Sequence, residues 1–266
     1  MSASWLRRTV TRARGPAGSR PAETPPDRLR EGTAQAEKLW YLQRINLFAD
    51  MTAEDMRYLA ARTQMRRYPR GQVIVRPDDP PDAIYLIKEG RVKLCRYSPA
   101  GRVQILALLE RGDIFGERAL VGVRPEVHCE AFEDTLVCVL RRADFEDLVR
   151  RKPDLALRVV RVLAERLRDA EETIERLALH DVPARLAALL VRLAEAYGEP
   201  HGDGRRLALR LTHQDLAGMI GATRETVTLT LNRFRDEGLI AVEERHIVIR
   251  DSRALAARGT LTAPAR

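Results

Sequence analysis

Lysine is nearly missing from this chain. Of 46 basic residues in 266, only Lys38, Lys88, Lys93 and Lys152 are lysines, and the other 42 are arginines. The planar guanidinium forks onto phosphates and guanine edges, so nucleic acid is the first partner to test against the formal charge of +8. Cysteine is scarce as well: Cys95, Cys129 and Cys138. An odd, widely spaced set is no disulfide framework, and a reducing cytoplasm is the expected location. Without a C-x-x-C pair, neither a closed zinc site nor a Cys-ligated iron–sulfur cluster has enough neighbouring thiolates. No apolar run approaches the roughly 20 residues of a membrane helix, so no membrane partner is expected. Aromatic residues are few at 5%, yet 45% hydrophobic and 32% charged residues form a globular composition. The length corresponds to about two domains.

Residues 1–33 are rich in Arg, Pro, Gly and Ser, with no apolar core of signal-peptide length, and read as a disordered basic tail. Residues 34–150 read as one domain. Ala34 to Leu47 is expected as a short helix. Thr52-Ala-Glu-Asp55 is a capping box opening a second helix with Met56, Leu59 and Ala60 inward. From Tyr68 to Phe145 short strands follow one another: 73–75, 83–87, 92–97, 103–108 and 136–140. Turn signals at Pro69-Arg-Gly71, Glu89-Gly90, Pro99-Ala-Gly101 and Arg111-Gly-Asp113 bound them, which predicts a barrel-like β-roll.

Residues 151–182 form a helical segment. Val160, Leu163, Leu167, Ala170, Ile174 and Leu177 recur at intervals of 3, 4, 3, 4 and 3, an a/d seam. Its charged flanks (Arg166, Arg168, Glu171, Glu172, Glu175 and Arg176) favour a two-stranded dimer seam over a core-facing helix. Residues 183–253 hold a helix to Tyr197, a turn at 201–204, a strand over Leu207–Leu211, two short helices and a hairpin. Residues 254–266 read as a second small-residue, basic, disordered tail.

The sharpest signal is the pair of short helices. Thr212 caps the first, with Asp215 three residues on. Gly221 permits the turn, and Thr223 caps the second, whose buried positions are Val227, Leu231 and Phe234. A Gly-Leu-Ile step and a hairpin then make a winged helix-turn-helix. The segment Leu211–Val227, with Arg224-Glu-Thr-Val227 at its heart, and Asp236-Glu-Gly-Leu-Ile240 resemble the Crp/Fnr family of bacterial transcription factors. The resemblance runs across residues 41–253 and includes Gly112-Asp-Ile-Phe-Gly-Glu117. It implies an α+β chain: a cyclic-nucleotide-binding-like jelly roll, a long dimerisation helix and a C-terminal winged helix-turn-helix.

It also implies that Arg224 and Glu225 read bases in the major groove, where arginine grips guanine and glutamate accepts from cytosine. Thr212, His213, Thr223 and Thr226 are expected near phosphates at the helix N-termini. Leu229 stands where many relatives carry a third base-reading arginine. Leucine can meet a thymine methyl but cannot fork a guanine. Two subunits would present two recognition helices to a near-palindrome, and RNA polymerase is the partner the family implies.

The sensor departs from the family's cAMP pattern. The candidate effector residues are Gly116, Glu117, Arg118, Arg124, Glu126, Ala170 and Glu171. Glu117 matches the glutamate that bonds the ribose. The Arg-Ser pair that binds the cyclic phosphate is replaced by Pro125-Glu126, and a carboxylate there repels a phosphate. Arg124, one residue away, could substitute if the loop bulges. Ala170-Glu171 replace the Thr-Ser pair that reads adenine. Control by cAMP is therefore not expected. Haem is not expected, because adjacent His128 and Cys129 point to opposite faces of a strand. Residues 1–50 contain no cysteine for an iron–sulfur sensor. His201, His213 and His246 have no metal spacing. No nucleophile–base pair or phosphate loop marks an enzyme. The competing readings are a cAMP- or other nucleotide-responsive regulator of the same fold, and a sensor acting through protein partners.

Overall fold

The computed structural model describes residues 46–48 and 51–259. The expected N-terminal tail, nearly all of the helix expected over 34–47, and residues 260–266 lie outside the described residues. Two compact units divide the described residues: 46–48 and 51–96 with 105–162, and 97–104 with 163–259.

The first unit carries β1 (Gln64–Tyr68), β2 (Val73–Val75), β3 (Ala83–Glu89), β4 (Val92–Tyr97), β5 (Val103–Leu109), β6 (Ile114–Phe115), β7 (His128–Ala131) and β8 (Thr135–Arg141). They form two four-stranded sheets, ordered β1-β8-β3-β6 and β2-β7-β4-β5. The helices α1 (Ala53–Arg62), α2 (Arg142–Arg151) and the start of α3 (Asp154–Leu179) accompany them.

Strands β3 and β8 read as nearly continuous apolar runs because both of their faces are covered. Alternate side chains enter two different cores. Ile84, Leu86, Cys138 and Leu140 meet Phe48, Met56, Leu59, Phe145, Leu148, Leu155 and Val159 from the helices. Ile87 and Val137 turn the other way, to Val75, Val92, Leu109, Phe115 and Cys129 inside the roll. The capping box at α1 is present: Asp55 N–H donates to Thr52 Oγ1 at 3.2 Å, and Thr52 N–H donates to Asp55 Oδ2 at 3.2 Å. The Thr52 hydroxyl and Lys152 hold the Asp55 carboxyl below the usual carboxylate range.

Elements β1, β6 and α2 were not marked by the sequence pattern. β1 is a polar edge strand, Gln-Met-Arg-Arg-Tyr, registered on β8 from Gln64↔Val139 to Tyr68↔Thr135. Tertiary pairing overrides its weak strand preference. α2 is anchored by Phe145 and Leu148, both buried, with Val149 partly buried beside them.

The second unit continues along α3 into α4 (Val182–Tyr197), β9 (Gly198–His201), β10 (Gly204–Leu207), α5 (His213–Ile220), α6 (Arg224–Asp236), β11 (Ile240–Glu243), β12 (His246–Ile249) and α7 (Ser252–Arg258). Its sheet is ordered β11-β12-β10-β9. Asp181 caps α4, accepting from Ala184 N–H at 2.8 Å, with Pro183 in the first turn where its missing donor costs nothing. Leu186, Leu189, Leu190 and Leu193 of α4 are fully buried.

Two expectations need correction here. The strand placed at Leu207–Leu211 lies earlier, at Gly204–Leu207, because it pairs with β9 (Gly204↔His201) and with β12 (Arg205↔Ile249). Beyond it the chain bends, and Leu209 is buried without belonging to a strand. The tail expected from residue 254 begins instead as α7. Asp251 caps it, accepting from Ala254 N–H at 2.8 Å, and Leu255 is fully buried where α7 meets α4. One apolar anchor in an Ala/Arg background was too weak a periodic signal to see. Among the described residues no helix is long and apolar enough to cross a membrane.

Leu255→Ala should therefore lower the unfolding free energy of the C-terminal unit by about 2–5 kcal/mol, as large-to-small core substitutions do. Urea titration followed by circular dichroism measures it, and a change within ~0.5 kcal/mol would make α7 a dispensable appendage.

Candidate functional site

Helices α5 and α6 are built as the sequence indicated. Thr212 caps α5 and Asp215 completes the capping box: Asp215 N–H donates to Thr212 Oγ1 at 3.0 Å, and Thr212 Oγ1 donates to Asp215 Oδ2 at 2.6 Å. Gly221 ends α5 in the left-handed region at φ 64°, ψ 44°, a turn that a residue with a Cβ enters only under strain. Thr223 caps α6, accepting from Thr226 N–H at 3.2 Å. Val227, Thr230, Leu231 and Phe234 are buried, so one face of α6 is anchored in the unit.

Arg224 and Glu225 stand exposed in the first turn of α6. The Glu225 carboxyl lies below the usual carboxylate range, held down by its own backbone N–H and by the Thr223 hydroxyl. It is thus an ionised acceptor at neutral pH, the form that takes a hydrogen bond from a cytosine amino group. The caps leave the threonine hydroxyls less free than expected. The Thr212 proton is spent on Asp215, and Thr223 and Thr226 share a hydrogen bond at 3.0 Å.

A tie between the two helices escaped the sequence pattern. Thr228 Oγ1 donates to the Arg224 carbonyl at 2.9 Å, and His213 Nδ1 lies 2.7 Å from that hydroxyl. A hydroxyl has one proton. With it given to Arg224, His213 Nδ1 must be the donor, which assigns the tautomer and fixes the ring across the helix pair. Spacing alone cannot reveal this contact, because it joins residues 15 apart.

In the roll, Gly112-Asp-Ile-Phe-Gly-Glu117 shapes a pocket. Asp113 closes the turn by accepting from Glu110 N–H at 2.9 Å. Gly116 lies at φ 81°, and a Cβ there would come within 2.8 Å of the Ala83 carbonyl oxygen. The backbone therefore passes where only glycine fits, and Glu117 starts a 3-10 turn over Glu117–Val121. The pocket is a cavity of about 60 Å³, room for a few waters. Gly116, Glu117 and Arg118 line it, with Tyr85, Leu94 and Cys129 among its walls. Tyr85 stacks on Phe115 at 4.8 Å, and burial pushes its phenol up to about 12.

Arg124 and Glu126 are not in the lining. The Arg124 guanidinium donates to the Asp78 carbonyl at 3.0 Å. Glu126 bridges two arginines, with Arg96 at 2.8 Å and Arg118 at 3.1 Å. Ala170 and Glu171 lie on α3 in the other unit. Cys129 faces the pocket and its neighbour His128 does not, as alternation along β7 requires. Among the described residues no three His, Cys, Asp or Glu side chains gather as metal ligands do.

The seam residues of α3 are exposed in the single chain: Val160 by 59%, Leu163 by 40%, Leu167 by 61%, Ile174 by 66% and Leu177 by 39%. Ala170 between them is exposed too. The buried residues of α3 are Leu155 and Val159, at its start.

The fold and these two sites define a two-part chain, a β-roll with a pocket followed by a winged helix-turn-helix. Residues 65–152 match the cyclic nucleotide-binding domain, and residues 184–258 match the Crp-like helix-turn-helix domain. The chain is 30% identical over 218 residues to the CRP-like cAMP-activated global transcriptional regulator of Mycobacterium tuberculosis, covering 82% of this chain and 97% of that one. It is 34% identical over 196 residues to the global nitrogen regulator of Synechocystis, covering 73% and 87%. The crystal structure of a CRP/FNR-family transcriptional regulator from Thermus thermophilus superposes with a TM-score of 0.64 at 30% identity, covering 74% and 98%. The chain belongs to the Crp/Fnr family of transcription regulators, a family of regulators and not of enzymes.

Thr228→Val keeps the shape at the helix pair and removes the bridging hydroxyl. It should cost about 1 kcal/mol of stability, the net worth of a typical hydrogen bond, read by thermal unfolding. An unchanged midpoint would mean the tie contributes nothing.

Proposed function

We propose that this chain is a homodimeric, sequence-selective DNA-binding regulator that reads a near-palindromic operator through α6 and is not controlled by cAMP. The observation that carries the reading is the exposed Arg224–Glu225 pair at the start of a helix whose opposite face is anchored. The guanidinium forks onto guanine O6 and N7, and the ionised carboxylate accepts from cytosine N4. Thr212, His213, Thr223 and Thr226 frame the pair and orient the helix N-termini towards phosphates.

The exposed α3 seam supports the dimer. Already partly buried in the single chain, each large apolar residue there contributes on the order of 1 kcal/mol more when the seam closes, which a monomer forgoes. Two recognition helices then meet half-sites about one helical turn apart. RNA polymerase is the partner that promoter-bound regulators of this family call for, and a DNA-bound function places the chain in the cytoplasm.

Two observations support control by something other than cAMP, or by no effector. Glu126 sets a carboxylate beside Arg118 and Arg96, so the charge that would grip a cyclic phosphate is already matched. Arg124 is turned onto a backbone carbonyl. Haem and iron–sulfur groups lack ligand sets for the reasons of spacing given above. The relatives themselves diverge: one is named for activation by cAMP, another for nitrogen regulation.

Selection of bound sequences from random DNA, with and without cAMP, tests the reading. A selected operator should emerge equally well in both arms. Arg224→Ala should weaken it by about 5- to 150-fold per half-site, the worth of one bidentate base contact. No selective binding by the wild type would leave a sensor acting through protein partners, and enrichment only with cAMP would restore cAMP control. Leu163→Asp with Leu167→Asp should yield a monomer by sedimentation velocity at micromolar concentration; a persistent dimer would overturn the seam.

A further inference from the structure

The buried residues of α6 fix which of its residues look outward. At 100° per residue, Val227, Thr230, Leu231 and Phe234 cluster on one side. The opposite ridge is Glu225, Leu229, Asn232 and Asp236, all exposed. Leu229 is 71% exposed, whereas the other large apolar residues of the helix, Val227, Leu231 and Phe234, are buried. It sits one turn beyond Glu225, about 6 Å along the axis and about 40° around it. Base pairs stack about 3.4 Å apart, so Leu229 reaches one to two steps from the base read by Glu225.

Its surroundings leave it little competition. Thr228, beside it, has its proton committed to the Arg224 carbonyl and its lone pair to His213. Leucine offers no donor or acceptor. The apolar group that the major-groove edges present is the 5-methyl of thymine.

We infer that Leu229 is a specificity-determining residue that reads a thymine methyl in each half-site, one to two base pairs from the cytosine met by Glu225. The inference rests on the DNA-binding reading above. A guanine-reading fork is absent at this position of the helix, so a T·A pair is preferred where an arginine would select G·C.

The full chain, its selected operator and single-atom-group changes in the DNA test it. Replacing that thymine by deoxyuridine removes only the methyl. Wild-type affinity should fall about fourfold per half-site, the burial of one methyl group. Leu229→Ala, an exposed change that spares the fold, should bind the two duplexes alike, at about the affinity of wild type for the deoxyuridine duplex. Indifference of the wild type to uridine at every thymine facing α6, a selected half-site with no thymine there, or methyl sensitivity that survives Leu229→Ala would each overturn it. Failure of the DNA-binding reading looks different: no sequence is selected and Arg224→Ala changes nothing, which overturns both.

Discussion

The burial of Val227, Thr230, Leu231 and Phe234 governs most of what this chain can do. A helix in water has no preferred outside. Once one stripe is committed to a core, the rest of its circumference is assigned by rotation alone. Arg224 and Glu225 acquire a direction from that burial, not from their own chemistry. The caps at Thr212 and Thr223 and the left-handed turn at Gly221 set the angle between the two helices. The His213–Thr228 contact then locks one helix against the other. Each of these is a weak interaction, worth about a kilocalorie per mole or less. Together they hold a pair of exposed side chains at a fixed place on the helix pair.

The roll follows the same logic with different parts. β3 and β8 sort alternate side chains into two cores, which pins their register: a slip of one residue would exchange the cores. With the register fixed, the backbone at Gly116 runs beside the Ala83 carbonyl and delivers Glu117 and Arg118 to the pocket. The pocket is thus inherited from the sheet, while its charge is not. Arg118, in its lining, and Arg96 both pair with Glu126, at 3.1 Å and 2.8 Å.

What was legible in the sequence follows from this division. Strong local signals were readable: the capping boxes at Thr52 and Thr212, the Gly221 turn, and the apolar periods of α3 and α6. The sequence also marked the Gly112–Glu117 turn. Signals that depend on partners were not. β1 is polar and exists through its pairing with β8, and α7 exists through one leucine resting on α4. The strand expected at Leu207–Leu211 was misplaced because register is set by neighbouring strands, not by the apolar run itself. In the candidate site, hydroxyl directions could not be read from residue types. Thr212, Thr223 and Thr226 looked available for phosphates, and the folded chain spends their hydrogen-bonding capacity largely on caps.

Net charge invites a different conclusion from placed charge. The total of +8 suggests a basic nucleic-acid binder, yet residues 183–253 hold 11 arginines against 10 acidic residues. Many of those arginines answer an internal carboxylate: Arg206 with Glu199, Arg233 with Glu237, and Arg250 with Glu243. A near-neutral surface draws little indiscriminate attraction from a phosphate backbone, the part of DNA affinity that carries no sequence information and fades with salt. On the proposed DNA-binding reading, discrimination then comes from contacts that differ between base pairs. On α6 those are the Arg224 guanidinium in the first turn, and an ionised carboxylate and an apolar side chain on the outward ridge. These three chemistries match guanine, cytosine and thymine edges in turn. The arginine content that first drew attention to nucleic acid is therefore a weaker guide than the position of a single residue, Arg224, at the start of an anchored helix.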